Sequence, residues 1–151
     1  MCDVSVLTRI TPGHRFVYLK DARHDRVVGV FSFETLPARR TRRAVALPHG
    51  RLKREYRRLG LARWVYRDLL LQGTCLLSSA RQSMAAARLW TSLGQEFVHG
   101  YVWADVRSAH YLGAQVGAAM EVQLPVRRLL HPGAVDPAAI FVSARAKERR
   151  G

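Results

Sequence analysis

The chain has 151 residues, 48% of them hydrophobic, and a formal net charge of +14 at pH 7. This length suits one domain, and the apolar content is enough for a core, which excludes a wholly disordered chain. The charge is mostly Arg. Since guanidinium groups pair with phosphates in a planar, two-pronged geometry, nucleic acid is the leading partner class and an anionic membrane surface is second. No run of 18 apolar residues occurs, so we expect no membrane-spanning helix.

The first third of the chain predicts a small antiparallel sheet. Residues 4–10 are β-rich and end at the Thr-Pro-Gly turn signal of residues 11–13. Residues 16–20 show the alternation of a strand, and residues 26–33 are rich in Val and Phe. Together these two segments predict a pair of antiparallel strands around a tight turn. Residues 44–47 are a further, short strand candidate.

From Gly50 the apolar spacing becomes helical. One stripe through residues 50–59 predicts a first helix, Gly60 interrupts it, and a second helix is predicted from residue 61 to near Gly73. The residues that form the first stripe are Leu52, Tyr56 and Leu59.

Two further amphipathic helices are predicted beyond Gly73, because apolar residues recur there at spacings of three and four. These residues are Ala86, Trp90, Leu93 and Phe97 in the first helix and Ala109, Leu112, Val116 and Ala119 in the second. After them come several prolines and the basic residues 144–151, which we interpret as an extended tail laid on a partner.

These elements predict an α+β protein with a small, mostly antiparallel sheet and two packed helices, followed by a helical C-terminal extension. The predicted domains are residues 1–75, an RNA-binding domain, and residues 76–151, a helical extension with a basic tail.

Basic residues are densest between residues 39 and 58, where nine Arg or Lys accompany one acid, Glu55. A disordered tail would not keep the apolar stripe of this segment, and a core helix would not tolerate its arginines. The segment therefore indicates a folded element that contacts a polyanion, most simply RNA.

Several segments resemble, in order and spacing, the bacterial-type small-subunit ribosomal protein sixteen family and its mitochondrial members. Residues 6–9 resemble the family's first strand, residues 14–18 its Arg-Pro-Phe-Tyr segment and residues 20–26 its Ala-Asp-Ser-Arg turn. Residues 44–47 are similar to its Val-Ala-Leu strand, and residues 50–73 to its two helices. The Gly-x-Tyr-x-Pro segment is replaced here by Phe-Ser-Phe-Glu-Thr-Leu-Pro.

This resemblance implies a structural constituent of the small ribosomal subunit, with no catalytic residue, metal or cofactor. Its partners would be small-subunit rRNA and neighbouring ribosomal proteins, without a membrane or a small-molecule substrate. The implied location is the mitochondrial matrix, with the bacterial cytoplasm second. The predicted RNA-binding residues are Arg9, Arg15, Lys20, Arg23, Arg26, Arg39, Arg40, Arg42, Arg43, Arg51, Lys53, Arg54, Arg57 and Arg58.

An enzymatic alternative rests on two other segments. Residues 57–62, Arg-Arg-Leu-Gly-Leu-Ala, resemble the Arg-x-x-Gly-x-Ala loop with which the GCN5-related acetyltransferases hold the pyrophosphate of acetyl-CoA at a helix N-terminus. Residues 83–94 resemble the Asn-x-x-Ala-x-x-Leu-Tyr-x-x-x-Gly helix of the same family. The Tyr that often serves there as general acid is Trp90 in this chain, and an indole does not donate its proton usefully.

A third interpretation is an interaction protein. Residues 65–67, Val-Tyr-Arg, resemble the Leu-Tyr-Arg tripeptide of small helical mitochondrial assembly factors. Those factors are three-helix proteins, whereas the first third of this chain is β-rich.

Other site chemistries find little support in the sequence. Cys2 and Cys75 are too few and too far apart for a zinc site, and we interpret them as free thiols. The acids are spread singly and form no obvious acid/base pair. The histidines show no pair at helical ligand spacing, so we interpret them as surface or RNA-facing side chains. They are His14, His24, His49, His99, His110 and His131.

Overall fold

A computed structural model describes residues 3–123, 125–133 and 136–142 of the chain. The strands are β1 (Val4–Thr11), β2 (His14–Asp21), β3 (Arg26–Thr35), β4 (Val45–Leu52), β5 (Cys75–Leu77), β6 (Val98–Ala104), β7 (Ala109–Gly113) and β8 (Val126–His131). The helices are α1 (Leu61–Leu71), α2 (Met84–Leu93) and α3 (Ala118–Glu121), with short 3-10 turns at Arg54–Tyr56 and Pro137–Ala139. No helix in these residues is both long and apolar enough to cross a membrane.

All eight strands belong to one sheet, in the order β1-β2-β3-β4-β5-β8-β6-β7. Neighbouring strands are antiparallel except β4 and β5, which are parallel and are connected through α1. A parallel pair needs such a crossover, because a tight hairpin can join only antiparallel strands.

Both long helices pack on one face of the sheet and form the first core. Side chains of β2 and β3 that alternate inward, such as Leu19 and Phe31, meet Leu70 of α1 and Leu93 of α2 there. Two ion pairs join α1 to the turn that follows α2, because Glu96 accepts from Arg63 at 2.9 Å and from Arg67 at 2.7 Å.

A second core lies on the opposite face, over β5, β8, β6 and β7. Leu36, Ile140 and Phe141 cover it, and the chain after β8 is tied to the loop before β4 by a bridge between Thr41 and Phe141. Cys75 is fully buried in this core, and burial raises the pKa of its thiol to about 11, so the thiol is protonated at neutral pH.

Over β1 to β4, the rest of that face is covered by no helix of the described residues. The strand register places two rows of side chains side by side on it. Each row crosses the sheet from β1 to β4. The first row is Arg9, Phe16, Ser32 and His49, and the second row is Leu7, Tyr18, Val30 and Arg51. We call these eight residues the open face. Leu7 is 54% exposed and Val30 is 39% exposed, so the open face presents apolar surface to solvent.

The predicted fold class is wrong, although its first three strands are confirmed. Residues 50–59 do not form a helix, because β4 continues to Leu52 by pairing with β3 and only a 3-10 turn follows. The predicted helical extension is a mixed continuation of the sheet. The first helix predicted in this half is confirmed as α2. Where the second was predicted, residues 109–113 form the strand β7 and α3 has only four residues.

Part of the predicted extended tail is likewise regular structure, since residues 126–131 form β8 at the centre of the sheet. Residues 144–151 lie outside the described residues, as does Cys2. His131 is buried rather than at the surface.

The fold predicts a specific cost for filling the space at Gly50. A Cβ there would lie 2.6 Å from two ring atoms of Phe31. We therefore expect Gly50→Ala to lower the free energy of unfolding by about 1–3 kcal/mol, because an overpacked core must shift. The measurement is urea denaturation of both proteins. Gly117→Ala, where no atom lies within 4 Å of the added Cβ, is the control and should change stability little. Equal stability of the two variants would contradict the packing described.

Candidate functional site

An opening forms where β4 and β5 separate. The two strands pair only at Val45 with Cys75 and at Ala46 with Leu76. Beyond this point β4 stays paired with β3 as far as Leu52, whereas Ser78 donates its backbone N–H to Arg128 O at 2.8 Å and thus follows β8. Among the described residues, no strand pairs with the β5-facing edge of β4 after Ala46. Such an edge presents backbone N–H and C=O groups that an extended ligand can use.

A short basic loop leads from β4 to α1. Arg57 Nε donates to Leu52 O at 3.1 Å, which folds the loop back on the end of β4. Arg58 has φ 63° and Gly60 has φ 78°, so two residues hold the left-handed conformation that turns the chain into α1. Arg58 and Gly60 are both exposed, so the turn is open to solvent.

The N-terminus of α1 is suited to an anion. The first N–H groups of a helix have no acceptor within it, and the helix dipole places partial positive charge there. No side chain caps α1 at Gly60, and its first turn holds no acid. The preceding loop adds the exposed cations Lys53, Arg54, Arg57 and Arg58. A phosphate or diphosphate group is the natural ligand of this arrangement.

Asp21 anchors this loop to the hairpin between β2 and β3. Its buried carboxylate accepts a hydrogen bond from the Tyr56 hydroxyl and backbone hydrogen bonds from Arg23 and His24 at 2.9 and 3.3 Å. His24 Nδ1 also lies 2.9 Å from its Oδ2. The Tyr56 hydroxyl, followed by His24, holds the pKa of Asp21 far below its ordinary value.

Tyr56 is held from a second side by Arg26, whose guanidinium lies 5.8 Å from the ring centroid. Asp21 and Tyr56 also line a surface pocket of about 630 Å³, together with Leu59 and Leu61 at the start of α1. The hairpin and the loop therefore form one wall of this pocket together. Through these contacts Tyr56 fixes the position of the 3-10 turn that precedes Arg57.

The strands around the opening carry no carboxylate, and their one imidazole, His49, belongs to the open face. Residues 45–52 and 75–83 contain no Asp or Glu. Trp90 is 2% exposed and packs in the first core, so its side chain does not reach the opening. Tyr66 lies beneath Gly50, and burial raises the pKa of its hydroxyl to about 12, which keeps it protonated. No group of three His, Cys, Asp or Glu within the described residues could hold a metal ion.

The fourteen predicted RNA-binding residues lie on several separate surfaces. Arg9 and Arg51 belong to the open face, and Lys20 lies beside it on the same side of β2. Arg15 points to the helix side, where its Nη1 donates to Gln72 Oε1 at 3.1 Å. Whether any of the fourteen binds RNA stays a prediction.

The other ten lie in loops or, for Arg26, at the first residue of a strand. Arg23 and Arg26 lie at the β2–β3 turn, Arg39, Arg40, Arg42 and Arg43 lie before β4, and Lys53, Arg54, Arg57 and Arg58 lie in the basic loop before α1. Arg40 is bound to the turn between β6 and β7, because its Nη2 donates to Asp105 O at 2.6 Å and to Ser108 O at 3.3 Å.

Sequence reasoning missed Asp21 and misjudged Tyr56. The spacing of Tyr56 suggested a helical stripe, whereas its hydroxyl is what fastens the loop. The signal that could have found Asp21 is its place at the start of a turn, since Asp accepts backbone N–H bonds two and three residues on.

No protein-family model and no curated protein matches this chain. A solved structure, the ribosomal-protein-S5-alanine acetyltransferase from Vibrio fischeri, is similar to it with a TM-score of 0.42 and 14% sequence identity. The similarity covers 79% of this chain and 61% of that protein, so the chain spans less than two thirds of its length. A similarity this low assigns no activity to the chain.

These findings correct the ribosomal interpretation. A helical extension was expected beyond residue 75, whereas strands β5 to β8 continue the same sheet there. The assigned family is therefore a wrong prediction, and so are the predictions drawn from it, namely the structural role in the small subunit and the rRNA and ribosomal-protein partners. The expected absence of a small-molecule substrate and of enzymatic activity rested on the same family and is withdrawn with it. The division at residue 75 and the mitochondrial or bacterial location stay predictions.

The Val-Tyr-Arg segment does not support an interaction protein of the helical type. Tyr66 is 6% exposed, and its ring meets Phe31 and Phe33 edge to face inside the first core. The tripeptide is therefore part of the packing between α1 and the sheet.

The Asp21 anchor predicts a pH dependence of stability. An Asp whose folded pKa lies below its ordinary value of about 3.9 stabilises the fold above that pH, and the contribution is lost as the pH falls towards the folded value. We expect the free energy of unfolding to fall from about pH 5 to about pH 2, and Asp21→Asn to remove part of this slope because an amide does not titrate. The measurement is urea denaturation at each pH.

Asp68→Asn, at an exposed carboxylate of α1, is the matched control and should keep the wild-type slope. Identical slopes for wild type and Asp21→Asn would show that the Asp21 contacts do not stabilise the fold.

Proposed function

We propose that this protein binds acetyl-CoA in the opening between β4 and β5 and transfers the acetyl group to an amine. The observation that carries this proposal is that α1, whose N-terminus is uncapped, follows through the loop of residues 53–60 the same strand, β4, whose edge β5 leaves open. An anion site next to a free strand edge suits a ligand that combines a diphosphate with an extended amide chain.

The diphosphate end of the ligand has matching charges in the basic loop. Arg57 is already oriented by its bond to Leu52 O, and Gly60 leaves space in front of the helix because no atom lies within 4 Å of a Cβ built there. Backbone N–H groups at a helix start bind phosphate oxygens without a side chain. This arrangement also fits the resemblance of residues 57–62 to the acetyltransferase loop.

The amide-bearing arm of the ligand matches the edge of β4. Beyond Ala46 the strand keeps its extended form through its bonds with β3, so its other edge is rigid as well as open. An extended chain that adds to such an edge gains main-chain hydrogen bonds at a small cost in ordering. This edge would guide the thioester towards the point where β4 and β5 part.

The chemistry requires few protein groups. The amine nitrogen attacks the thioester carbonyl, the carbon–sulfur bond breaks, the amine loses one proton and the departing sulfur gains one. Because residues 45–52 and 75–83 hold no carboxylate and Trp90 is buried, we place the deprotonation of the amine in solvent. The protein would then contribute binding and orientation, which are a large part of catalysis in group transfer.

Binding of acetyl-CoA is the first test. We expect acetyl-CoA at about 100 times its Kd to stabilise the fold by about 2.7 kcal/mol, and Gly60→Trp to abolish this, because the indole would fill the space before α1. The measurement is thermal unfolding with titration calorimetry. Gly13→Trp is the matched control, since Gly13 has a similar φ of 77° and equally open surroundings on the β1–β2 turn. The proposed site would be contradicted if acetyl-CoA stabilised both variants equally, or if it did not stabilise the wild-type protein.

Transfer is the second test, with a labelled acetyl group and a peptide that has a free N-terminal amine. Without a base from the protein, the rate should rise about tenfold per pH unit and level off only near the amine pKa of about 7.7–8.0. Gly60→Trp should show no transfer, and Gly13→Trp should match the wild type. A rate plateau well below the amine pKa would reveal a protein base and contradict solvent deprotonation, and binding without transfer at any pH would remove the transferase role.

A further inference from the structure

The open face is a surface whose composition the proposed acetyl transfer does not use. It has aromatic side chains in its middle and cations at both margins. The middle is formed by Phe16 and Tyr18 on β2, and the margins by Arg9 on β1 and Arg51 on β4. Since adjacent strands lie about 4.8 Å apart, the two arginines are separated by the full width of the aromatic strip.

The aromatic strip extends along β2. The rings of His14 and Phe16 stack with centroids 5.9 Å apart and planes inclined by 9°. Tyr18 continues the strip on the same side of the strand, because residues two apart share a face. His14 is exposed and the other two are half-buried, so ring surface is available to a ligand while the lower part of each side chain is fixed by the sheet.

The charge of this side is positive and largely uncompensated. Lys20 is paired with Asp25 at 2.6 Å, and Glu34 lies opposite His14 on β3. Among the described residues, Arg9 and Arg51 form no salt bridge and no side-chain hydrogen bond. Exposed arginines beside an aromatic strip favour a ligand that offers both phosphates and flat rings.

From these features we infer that the open face binds single-stranded nucleic acid, with bases stacked on Phe16 and Tyr18 and phosphates on Arg9 and Arg51. Stacking on aromatic side chains together with a cationic border is how single strands are bound without sequence preference. A duplex hides its base faces within its own stack, so it cannot use the aromatic strip. The inference is independent of acetyl-CoA binding and uses two of the fourteen predicted RNA-binding residues.

A second copy of the chain fits this surface less well. Two copies joined through the open face would bring Arg9 and Arg51 of each against those of the other. The chain carries a net charge of +14, and like charges brought together in an interface cost several kcal/mol. The apolar residues Leu7 and Val30 are therefore better explained as part of a stacking surface than as a dimer interface.

The test is fluorescence anisotropy with labelled 12-nucleotide oligo-dT, oligo-rU and a duplex of the same length, over a range of salt concentrations. We expect both single strands to bind more tightly than the duplex. Arg9→Ala combined with Arg51→Ala should weaken binding about tenfold or more and lower the salt slope by about 1.4, since each phosphate contact on a single strand contributes about 0.7.

Matched variants separate stacking from charge. Arg81→Ala combined with Arg88→Ala removes the same charge at exposed positions elsewhere and should leave affinity within about twofold. Tyr18→Leu keeps an apolar side chain in the sheet but removes the ring, and should weaken binding about fivefold to a hundredfold, the range expected for one stacked base. Unchanged urea denaturation of Tyr18→Leu establishes that the fold is intact.

Three results would overturn the inference. One is an equal loss of affinity in both double-arginine variants, which would mean diffuse attraction to the whole cationic surface. Another is tighter binding of the duplex. The last is a dimer in sedimentation experiments that Leu7→Arg dissociates, which would assign the open face to a second copy.

Discussion

The separation of β4 from β5 is the constraint on which the rest of this structure depends. β4 contributes to both cores, with Ala46 on the helix side and Val45 on the other. If β4 and β5 paired along their full length, the sheet would be continuous and would offer no backbone edge at its centre. Because they part after two residue pairs, β4 stays paired with β3 on one side while the chain after β5 follows β8 on the other, and an opening lies between them.

The sequence predicted the local parts of this structure better than the distant ones. The first hairpins were predictable because alternation and turn residues act over a few positions, as at residues 11–13. Residues 50–59 were misassigned because Leu52, Tyr56 and Leu59 meet helical spacing by coincidence, while the conformation of β4 is decided by seven pairings with β3. Residues 109–113 became a strand for a similar reason, namely pairing with β6.

The site was partly predictable in the same sense. Residues 57–62 carry a recognisable loop pattern, and Gly60 does hold the left-handed conformation that such a turn needs. The link between Asp21 and Tyr56 joins residues 35 positions apart, and no local pattern encodes it. Charge density pointed to a polyanion but not to a surface, because the fold sends Arg15, Arg40 and Arg51 to three different places.

The bridge between Thr41 and Phe141 has a consequence for how the chain folds. It joins residues about a hundred positions apart, whereas β1, β2 and β3 pair with their immediate neighbours in the chain. Non-local pairings form slowly, because the entropy cost of closing a long loop comes before any contact that offsets it. The hairpins and the first core can therefore assemble as the chain leaves the ribosome, while the second core must wait for Ile140 and Phe141. Until then Val45 and Leu77 face water, and this half-built sheet is the state in which the protein is most exposed to aggregation and to proteases.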